Sequence, residues 1–245
     1  MPVPRFVHLR LHSEYSITDG LVRIDDAVAR ARADGMGALA LTDLANLFGM
    51  VKFYKATRAK GIKPVIGADL WVGTKGDKPA RVILLVASRQ GYLRLCDLIS
   101  RAYLNNQQRG RAEIDRAWLR EGAGGTTGLI ALSGLLTGPG AGDIAQALAA
   151  GDSIGAEALA KEWAALFPDR FYLEVQRGAP APPAQRGAHA EHLLRRVVAL
   201  GTKLKLPVVA THPVEFATQG EFRAHEARTC IAEGRSEERR VGKEC

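Results

Sequence analysis

The sequence FVHLRLHSEYS at Phe6–Ser16 decides both the fold and the first candidate site of this 245-residue chain. Its apolar and polar residues alternate over Val7–Leu11, which predicts a short strand followed by a polar loop. Side chains alternate between the faces of a strand, so His8, Arg10 and His12 share one face. Residues two apart lie about 6.6 Å apart and can reach one metal ion, whereas residues four apart lie about 13 Å apart.

Arg10 therefore occupies the position from which a second side chain could bind the same ion as His12. A guanidinium group has no free lone pair and stays charged, so Arg10 cannot be a metal ligand. Asp19 follows in the loop and offers a carboxylate. The stretch predicts either a working metal site with His12 and Asp19 or the remnant of such a site.

The composition is ordinary for a globular protein of one large domain or two small ones, with 47% hydrophobic and 24% charged residues. No apolar run reaches about 18 residues, so no membrane span is expected. Three cysteines without metal-binding spacing fit a reducing cytoplasm, which is the expected location. The net charge of +8 favours an acidic partner such as nucleic acid, or reflects only a generic basic surface.

The last eleven residues, Arg235–Cys245, do not continue the helical pattern that precedes them. They match, codon by codon, the translation of a common sequencing adapter, which indicates a tail foreign to the protein. We therefore expect one domain over residues 1–234, a non-native tail over residues 235–245, and a natural protein that continues beyond Gly234.

Strand and helix patterns alternate along the rest of the chain. Near-continuously apolar strands separated by helices predict the α/β class, with parallel strands covered by helices on both faces. The pattern fits either a barrel or an open doubly wound sheet. Seven strands are predicted, at Val7–Leu11, Ala38–Thr42, Lys63–Val72, Arg81–Ala87, Leu129–Ser133, Phe171–Val175 and Pro207–Thr211.

Polar side chains lie in or directly after six of these strands. Barrels carry their sites at the carboxyl ends of the strands, so the six together favour a present or former site. Each one alone is better explained as a polar residue that begins a loop or caps a helix. They are His12, Asp43, Asp69, Ser133, Glu174 and His212.

Five arginines in the middle of the chain form a candidate DNA-contact patch. Arginines that neutralise phosphates would give salt-sensitive binding. The alternative is a solvated basic face. The five are Arg101, Arg109, Arg111, Arg116 and Arg120.

From about Pro4 to Gly234, the chain resembles the N-terminal polymerase-and-histidinol-phosphatase (PHP) domain of bacterial DNA polymerase III alpha subunits. The resemblance implies a distorted seven-stranded (β/α) barrel, in agreement with the number of predicted strands. It rests on motifs that occur in order: HLRLHSEYS from His8 with Asp19-Gly20, LTD from Leu41 with NLFG from Asn46, GIKPVIGAD from Gly61, GYLRL from Gly91, GLIALSG from Gly128, FPDRFYLE from Phe167 and LPVVAT from Leu206.

The resemblance also implies which positions would bind metal. The metal-binding members have a His-x-His pair, a following Asp and further His and carboxylate ligands, of which this chain keeps His12, Asp19 and Glu174. Arg10, Leu44 and Pro213 supply no ligating side chain at their positions. The complete vestigial site predicted in this way consists of Arg10, His12, Asp19, Asp43, Leu44, Asp69, Glu174, Pro213 and Glu215.

These departures predict a degenerate PHP domain that binds no metal and has no nuclease activity. Arg10 is expected to pair with Asp19 or Asp69 and to replace the metal ion electrostatically. By the resemblance, the whole protein is a Mg²⁺-dependent DNA-directed DNA polymerase whose catalytic aspartates lie beyond Gly234. The expected partners are DNA, the proofreading exonuclease subunit and other replisome subunits. The alternatives are an active metal-dependent phosphoesterase or 3′–5′ exonuclease of the same fold, and an interaction module with no enzymatic parent.

Overall fold

The computed structural model describes residues 6–73, 79–108, 110–122, 124–138, 140–177 and 184–234. The chain divides into two compact units. The first unit takes residues 1–68 and 213–245, and the second takes residues 69–212. The tail predicted to be non-native, at residues 235–245, lies outside the described residues, and so does Arg109.

Helices and strands alternate over most of the described chain. The helices are α1 (Ile24–Ala33), α2 (Met50–Ala59), α3 (Arg89–Asn105), α4 (Asp143–Ala149), α5 (Ser153–Leu166), α6 (Ala184–Leu204) and α7 (Phe222–Glu233), with short 3-10 helices at Arg116–Arg120 and Gln219–Glu221. The strands are β1 (Ala38–Leu41), β2 (Lys63–Gly73), β3 (Ala80–Val86), β4 (Gln107–Gln108), β5 (Arg111–Asp115), β6 (Leu129–Leu132), β7 (Phe171–Val175) and β8 (Val208–Ala210).

The first unit packs α1 and α2 around β1 and the beginning of β2. β1 and β2 pair in parallel, with Ala38 opposite Lys63. The buried face of α1 has helical spacing, from Ile24 through Ala27 and Val28 to Ala31. Phe53 of α2 is fully buried in the same core. The helix α1 is therefore held by one apolar face, and α2 is anchored in the core by Phe53.

The predicted first strand, Val7–Leu11, is wrong. The segment makes only isolated bridges, Leu11 with Val214 and Ser13 with Val22. The cause is the Thr42 side chain, whose hydroxyl accepts the backbone N–H of Leu11 at 3.0 Å. The Ala40 N–H still donates to the His8 carbonyl, and the Thr42 N–H donates to the Leu11 carbonyl, both at 2.9 Å. Because a side-chain oxygen takes the place of the main-chain partner of Leu11, these bonds do not extend into a regular ladder.

The second unit holds most of the sheet, in the order β4-β5-β2-β3-β6-β7-β8. The α/β class is confirmed, but the described residues contain eight strands and not the seven predicted. The short polar strands β4 and β5 were missed because neither has the apolar run that predicts a buried strand. No helix within the described ranges is long and apolar enough to span a membrane.

The prediction that all strands are parallel is wrong at β3. β3 runs antiparallel to β6, with Ile83 opposite Leu132, whereas β6, β7 and β8 pair in parallel. Only six residues separate the end of β2 from the start of β3. A connection between parallel neighbours needs about a dozen residues or more, so this one is too short for a crossover helix.

Gly20 marks the tightest point of the loop that follows the first bridge. Its N–H donates to the Ser16 carbonyl at 2.8 Å, and the Glu14 N–H donates to the Val22 carbonyl at 2.9 Å. A Cβ atom at position 20 would lie 2.0 Å from the Ser13 carbonyl oxygen. Only glycine fits there, and the loop that carries Asp19 depends on this close approach.

We predict that Gly20→Ala lowers the free energy of unfolding by about 2 to 3 kcal/mol, because backbone atoms must move to relieve the overlap. Urea unfolding followed by circular dichroism measures the change. Gly37→Ala is the matched control, since a Cβ there meets nothing within 4 Å. Equal effects of the two substitutions would show that the close approach is not needed.

Candidate functional site

Three residues in the first unit place potential metal ligands close together. His12, Asp19 and Glu215 each offer one ligand atom, and these atoms all lie within 4.8 Å of one another. The His12 Nδ1 atom lies 2.9 Å from Asp19 Oδ1, and the Ser16 hydroxyl donates to the same carboxylate oxygen at 2.6 Å. His12 and Asp19 are buried, and Glu215 is half-buried. His12 and Asp19, which the sequence analysis assigns to one candidate site, are therefore in direct contact.

Backbone hydrogen bonds bring the three residues together. The His12 N–H donates to the Val214 carbonyl at 2.9 Å, and the Leu21 N–H donates to the Glu215 carbonyl at 2.7 Å. The segment that carries Glu215 therefore lies between the segments that carry His12 and Asp19. The positions of the ligand atoms follow from main-chain pairing, which does not require an ion.

His225 of α7 is a further member of this cluster that the sequence reasoning missed. Its Nε2 atom lies 3.1 Å from Glu215 Oε2, and its Nδ1 atom lies 3.0 Å from the Asp19 carbonyl oxygen. The hydrogen bond that His225 donates to the Glu215 carboxylate raises the pKa of His225, and burial opposes that increase. Because both ring nitrogens face oxygen acceptors, the protonated imidazolium form fits the contacts best.

Asp43 lies next to this cluster but is not one of its three ligand residues. It holds the loop in place. Its carboxylate accepts the Ser13 N–H at 2.6 Å and the Ser13 hydroxyl at 2.9 Å. Burial raises the pKa of Asp43, and the two hydrogen bonds from Ser13 partly offset that increase. Leu44 contributes its backbone, since its N–H donates to the Ser16 hydroxyl oxygen at 3.1 Å. Asp43 and Leu44 thus fix the loop from which Asp19 projects.

Arg10 is the largest charged side chain in the interior, with 1% of its surface exposed. A cation buried to this degree costs several kcal/mol unless acceptors surround it, so its guanidinium takes part in the interior packing. The predicted pairing of Arg10 with Asp19 or Asp69 stays a prediction. Pro213 is half-buried and brings no ligating atom to the first unit.

In the second unit, Asp69 is held by a cation that the sequence reasoning did not single out. The Arg81 Nε atom donates to Asp69 Oδ1 at 3.1 Å, and Arg81 Nη2 donates to Oδ2 at 2.6 Å. Both side chains are buried. The guanidinium also lies over the Trp71 ring, 5.3 Å from its centroid. A bidentate pair of this kind binds both carboxylate oxygens of Asp69.

Glu174 is fully buried on β7 and also accepts from protein donors. Its Oε2 atom accepts the Gly134 N–H at 3.1 Å, and its Oε1 atom accepts the Thr211 hydroxyl at 2.5 Å. The Glu174 N–H in turn donates to the Ser133 hydroxyl oxygen at 2.9 Å. Ser133 and Glu174, both predicted as strand-end residues, are therefore in contact, while His212 is exposed.

Taken unit by unit, the described residues do not fit a site for several metal ions. Such a site needs several His and carboxylate ligands whose lone pairs face the ions. The carboxylates of Asp43, Asp69 and Glu174 accept hydrogen bonds from the protein on both oxygens. Only the cluster of His12, Asp19 and Glu215 offers three ligand atoms together among the described residues, and these could contact one ion at most.

Two of the arginines predicted to contact DNA stack on tryptophans of the second unit. Arg101 lies 4.4 Å from the centroid of the Trp118 ring and pairs with Glu121 at 2.9 Å. Arg111 lies 5.0 Å from the Trp71 centroid and pairs with a carboxylate of its own strand. Each cation thus has both an aromatic and an anionic partner, which gives it a structural role.

The next two arginines form an ion-pair network with Glu162. Arg116 Nη1 lies 3.1 Å from Glu162 Oε2, and Arg120 Nη2 lies 2.6 Å from Oε1. Arg116 also pairs with Asp143 and lies over the Trp163 ring. Burial raises the pKa of Glu162, but the two arginines outweigh it and hold that pKa below its usual value. Local neutralisation weakens attraction for phosphates, and the DNA-contact role stays a prediction.

Comparison with known proteins places these features in a family. A family model described as the PHP domain matches residues 8–178. DNA polymerase III subunit alpha of Pseudomonas fluorescens is 47% identical over 233 residues, which cover 94% of this chain and 19% of that protein. The Escherichia coli K12 protein of the same name is 41% identical over 237 residues. This chain therefore spans about a fifth of the length of the curated relatives it matches.

Two solved structures share the fold at low sequence identity. An amidohydrolase from Chromobacterium violaceum has a TM-score of 0.53 at 14% identity, covering 91% of this chain and 96% of that one. A two-domain protein from Bacteroides vulgatus, which contains a predicted PHP-like metal-dependent phosphoesterase, has a TM-score of 0.50 at 14% identity. The match covers 88% of this chain and 55% of the Bacteroides chain. Both likenesses concern the fold alone.

We predict that Arg81→Met lowers the free energy of unfolding by about 3 kcal/mol, because the buried Asp69 carboxylate loses its bidentate cation. The double variant Asp69→Asn/Arg81→Met recovers most of this loss, since it removes the buried charge as well. Urea unfolding of four proteins, the unchanged chain, Asp69→Asn, Arg81→Met and the double variant, forms a double-mutant cycle. Additive effects in the cycle would contradict the ion pair.

Proposed function

Because the chain belongs to the PHP domain family, we propose that it is the N-terminal PHP domain of a bacterial DNA polymerase III alpha subunit and serves there as a metal-free docking scaffold. The identity to the alpha subunits of several bacteria, over nearly the whole of this chain, supports the assignment. The whole protein would extend DNA with Mg²⁺, using residues in the part of the relatives that this chain does not span.

The observation that carries the scaffold proposal is the use of the acidic residues by protein donors. Asp43 bonds to Ser13, and Asp69 bonds to Arg81. Arg10 fills the interior at the position where a second ligand beside His12 would stand. A buried cation at that position opposes the binding of a metal ion by electrostatic repulsion. Phosphoester hydrolysis assisted by several ions therefore has no support from these residues.

A scaffold acts through its partners. For a domain of a replicative polymerase these would be the proofreading exonuclease subunit and other replisome subunits, with DNA bound by the whole protein in the cytoplasm. The ordered, ion-paired interior of each unit supports this role, because a docking domain needs a rigid surface and no reactive centre.

We predict that the purified chain binds the proofreading exonuclease subunit of Pseudomonas fluorescens with a dissociation constant of about 1 μM or tighter. Isothermal titration calorimetry measures the affinity, and light scattering gives the stoichiometry. The 47% identical alpha subunit of that organism, truncated to the matching segment, is the positive control. Binding by the control but not by this chain would refute the docking role.

A second candidate function is supported by the cluster of His12, Asp19 and Glu215. Three protein ligands with an open fourth position are the usual set for a single catalytic ion. In that case the chain would be a metal-dependent phosphoesterase or 3′–5′ exonuclease. The contacts of His225 with Glu215 and of Ser16 with Asp19 oppose this, because each engages an oxygen that a metal ion would need.

We predict substoichiometric zinc, manganese and iron in the purified chain, and no hydrolysis of p-nitrophenyl phosphate or single-stranded DNA with added Mn²⁺. Elemental analysis by mass spectrometry and a release assay provide the readouts. His12→Ala and Glu215→Gln are the matched variants, and both should leave the metal content unchanged. One bound ion per chain that is lost in both variants would establish the second function.

A further inference from the structure

The outer face of α2 has the spacing of a helix that packs against a partner, yet it is exposed. Val51, Tyr54, Lys55 and Arg58 follow one another at i, i+3, i+4 and i+7. This spacing places side chains on one side of a helix. The opposite side buries Phe53, so the core of the first unit is already satisfied without this face.

Apolar surface is concentrated here. Val51 is 55% exposed and Tyr54 is 51% exposed, and Phe48, just before the helix, is 66% exposed. Ile17 is 68% exposed. It follows Ser16, whose hydroxyl oxygen accepts the Leu44 N–H. Single exposed apolar residues are common, but several together on adjoining segments mark an interaction surface.

The charge of this face is of one sign. α2 contains no Asp or Glu. Lys55 and Arg58 are exposed, and neither has an ion-pair partner in the part of the chain that the structure describes. Lys52, at the edge of the face, takes the nearby carboxylates of Glu14 and Asp25, at 3.0 Å and 3.7 Å.

These two cations therefore differ from the arginines of the second unit. Arg101, Arg116 and Arg120 all have carboxylate partners within their own unit. A cation with an internal partner adds little to the attraction of another molecule, whereas an unpaired one adds fully. Lys55 and Arg58 therefore give the α2 face unpaired positive charge, and the sequence cluster of arginines did not indicate that location.

We propose that the α2 face, made of Phe48, Val51, Tyr54, Lys55 and Arg58, docks an acidic helical segment of a protein partner that carries apolar side chains. The apolar residues would pack between the turns of the partner helix, and its carboxylates would pair with Lys55 and Arg58. The inference rests on the docking role proposed above and names the surface and the partner chemistry for it.

A protein segment fits this surface better than a nucleic acid. Single strands bind through cations that follow the backbone and aromatic rings that stack on bases. The rings of Phe48 and Tyr54 could stack on bases, but aliphatic Val51 and Ile17 offer no stacking surface, and their exposure is relieved only by apolar contact. Two cations one helical turn apart also make few phosphate contacts.

The test uses the whole chain and a synthetic helical peptide with Leu at i, i+3, i+4 and i+7 and Glu at the other positions. Nuclear magnetic resonance of the labelled chain should show amide shifts confined to Phe48–Arg58 and its neighbours. Fluorescence anisotropy gives the affinity, which should fall at least about tenfold in Lys55→Glu/Arg58→Glu and in Val51→Ser/Tyr54→Ser. Arg89→Glu, which reverses one exposed positive charge in the second unit, should leave the affinity unchanged.

Several results would overturn the proposal. They are no binding of the Glu-Leu peptide, equal binding of a Lys-Leu peptide, or affinity that is unchanged in both α2 variants. Binding of an oligonucleotide with the same dependence on Lys55 and Arg58, in place of the peptide, would assign the face to nucleic acid. Self-association lost in Val51→Ser/Tyr54→Ser would assign it to a second copy of the chain.

Failure of this inference can be told apart from failure of the docking role. If the exonuclease subunit binds the unchanged chain and both α2 variants equally, docking stands and the surface is wrong. If the Glu-Leu peptide binds through α2 but the exonuclease subunit does not bind, the surface stands and the proposed partner is wrong. Circular dichroism of each variant checks that the exposed substitutions leave the fold intact.

Discussion

The pair of hydrogen bonds between Ser13 and the Asp43 carboxylate is the interaction on which the first unit depends. It joins the loop after the first bridge to the end of β1, at 2.6 Å and 2.9 Å. His12 precedes Ser13, and the Ser16 hydroxyl that contacts Asp19 accepts the N–H of Leu44. The positions of His12 and Asp19 therefore follow from a carboxylate that is itself buried and bonded by protein donors, so the cluster can exist without a metal ion.

Buried carboxylates in both units have found partners within the protein. Taking a carboxylate out of water costs several kcal/mol, and the cost is offset by a cation or by several charge-assisted hydrogen bonds. Asp69 has the Arg81 guanidinium, whereas Glu174 has an amide and a hydroxyl group. A buried acidic residue without such partners would destabilise the fold. The buried carboxylates of Asp69 and Glu174 thus have a structural role within their unit.

The sequence predicts the elements that depend on local pattern and fails where distant side chains decide. Strand β1, predicted over Ala38–Thr42 from its apolar run, forms over Ala38–Leu41. The strand at Val7–Leu11 fails because the Thr42 hydroxyl, 31 residues away from Leu11, takes its N–H. The site shows the same limit. His12 and Asp19 lie on one loop, so their proximity can be expected from the local sequence. His225 contacts Asp19 from 206 residues away, and no local signal marks it.

Net charge illustrates why composition alone could not locate a binding surface. The arginines that cluster in the sequence at positions 101–120 and lie among the described residues have ion-pair partners within the second unit, for example Arg116 with Glu162. Lys55 and Arg58 attract no notice in the sequence, because they are spaced along an ordinary amphipathic helix. Their significance comes from what surrounds them, namely exposed apolar side chains and no acidic residue on the same helix. A long-range electrostatic field is set by the charges that remain unpaired after folding. The net charge of the sequence therefore does not tell which unit attracts an acidic partner. The pairing pattern favours the first unit as the part that attracts an acidic partner.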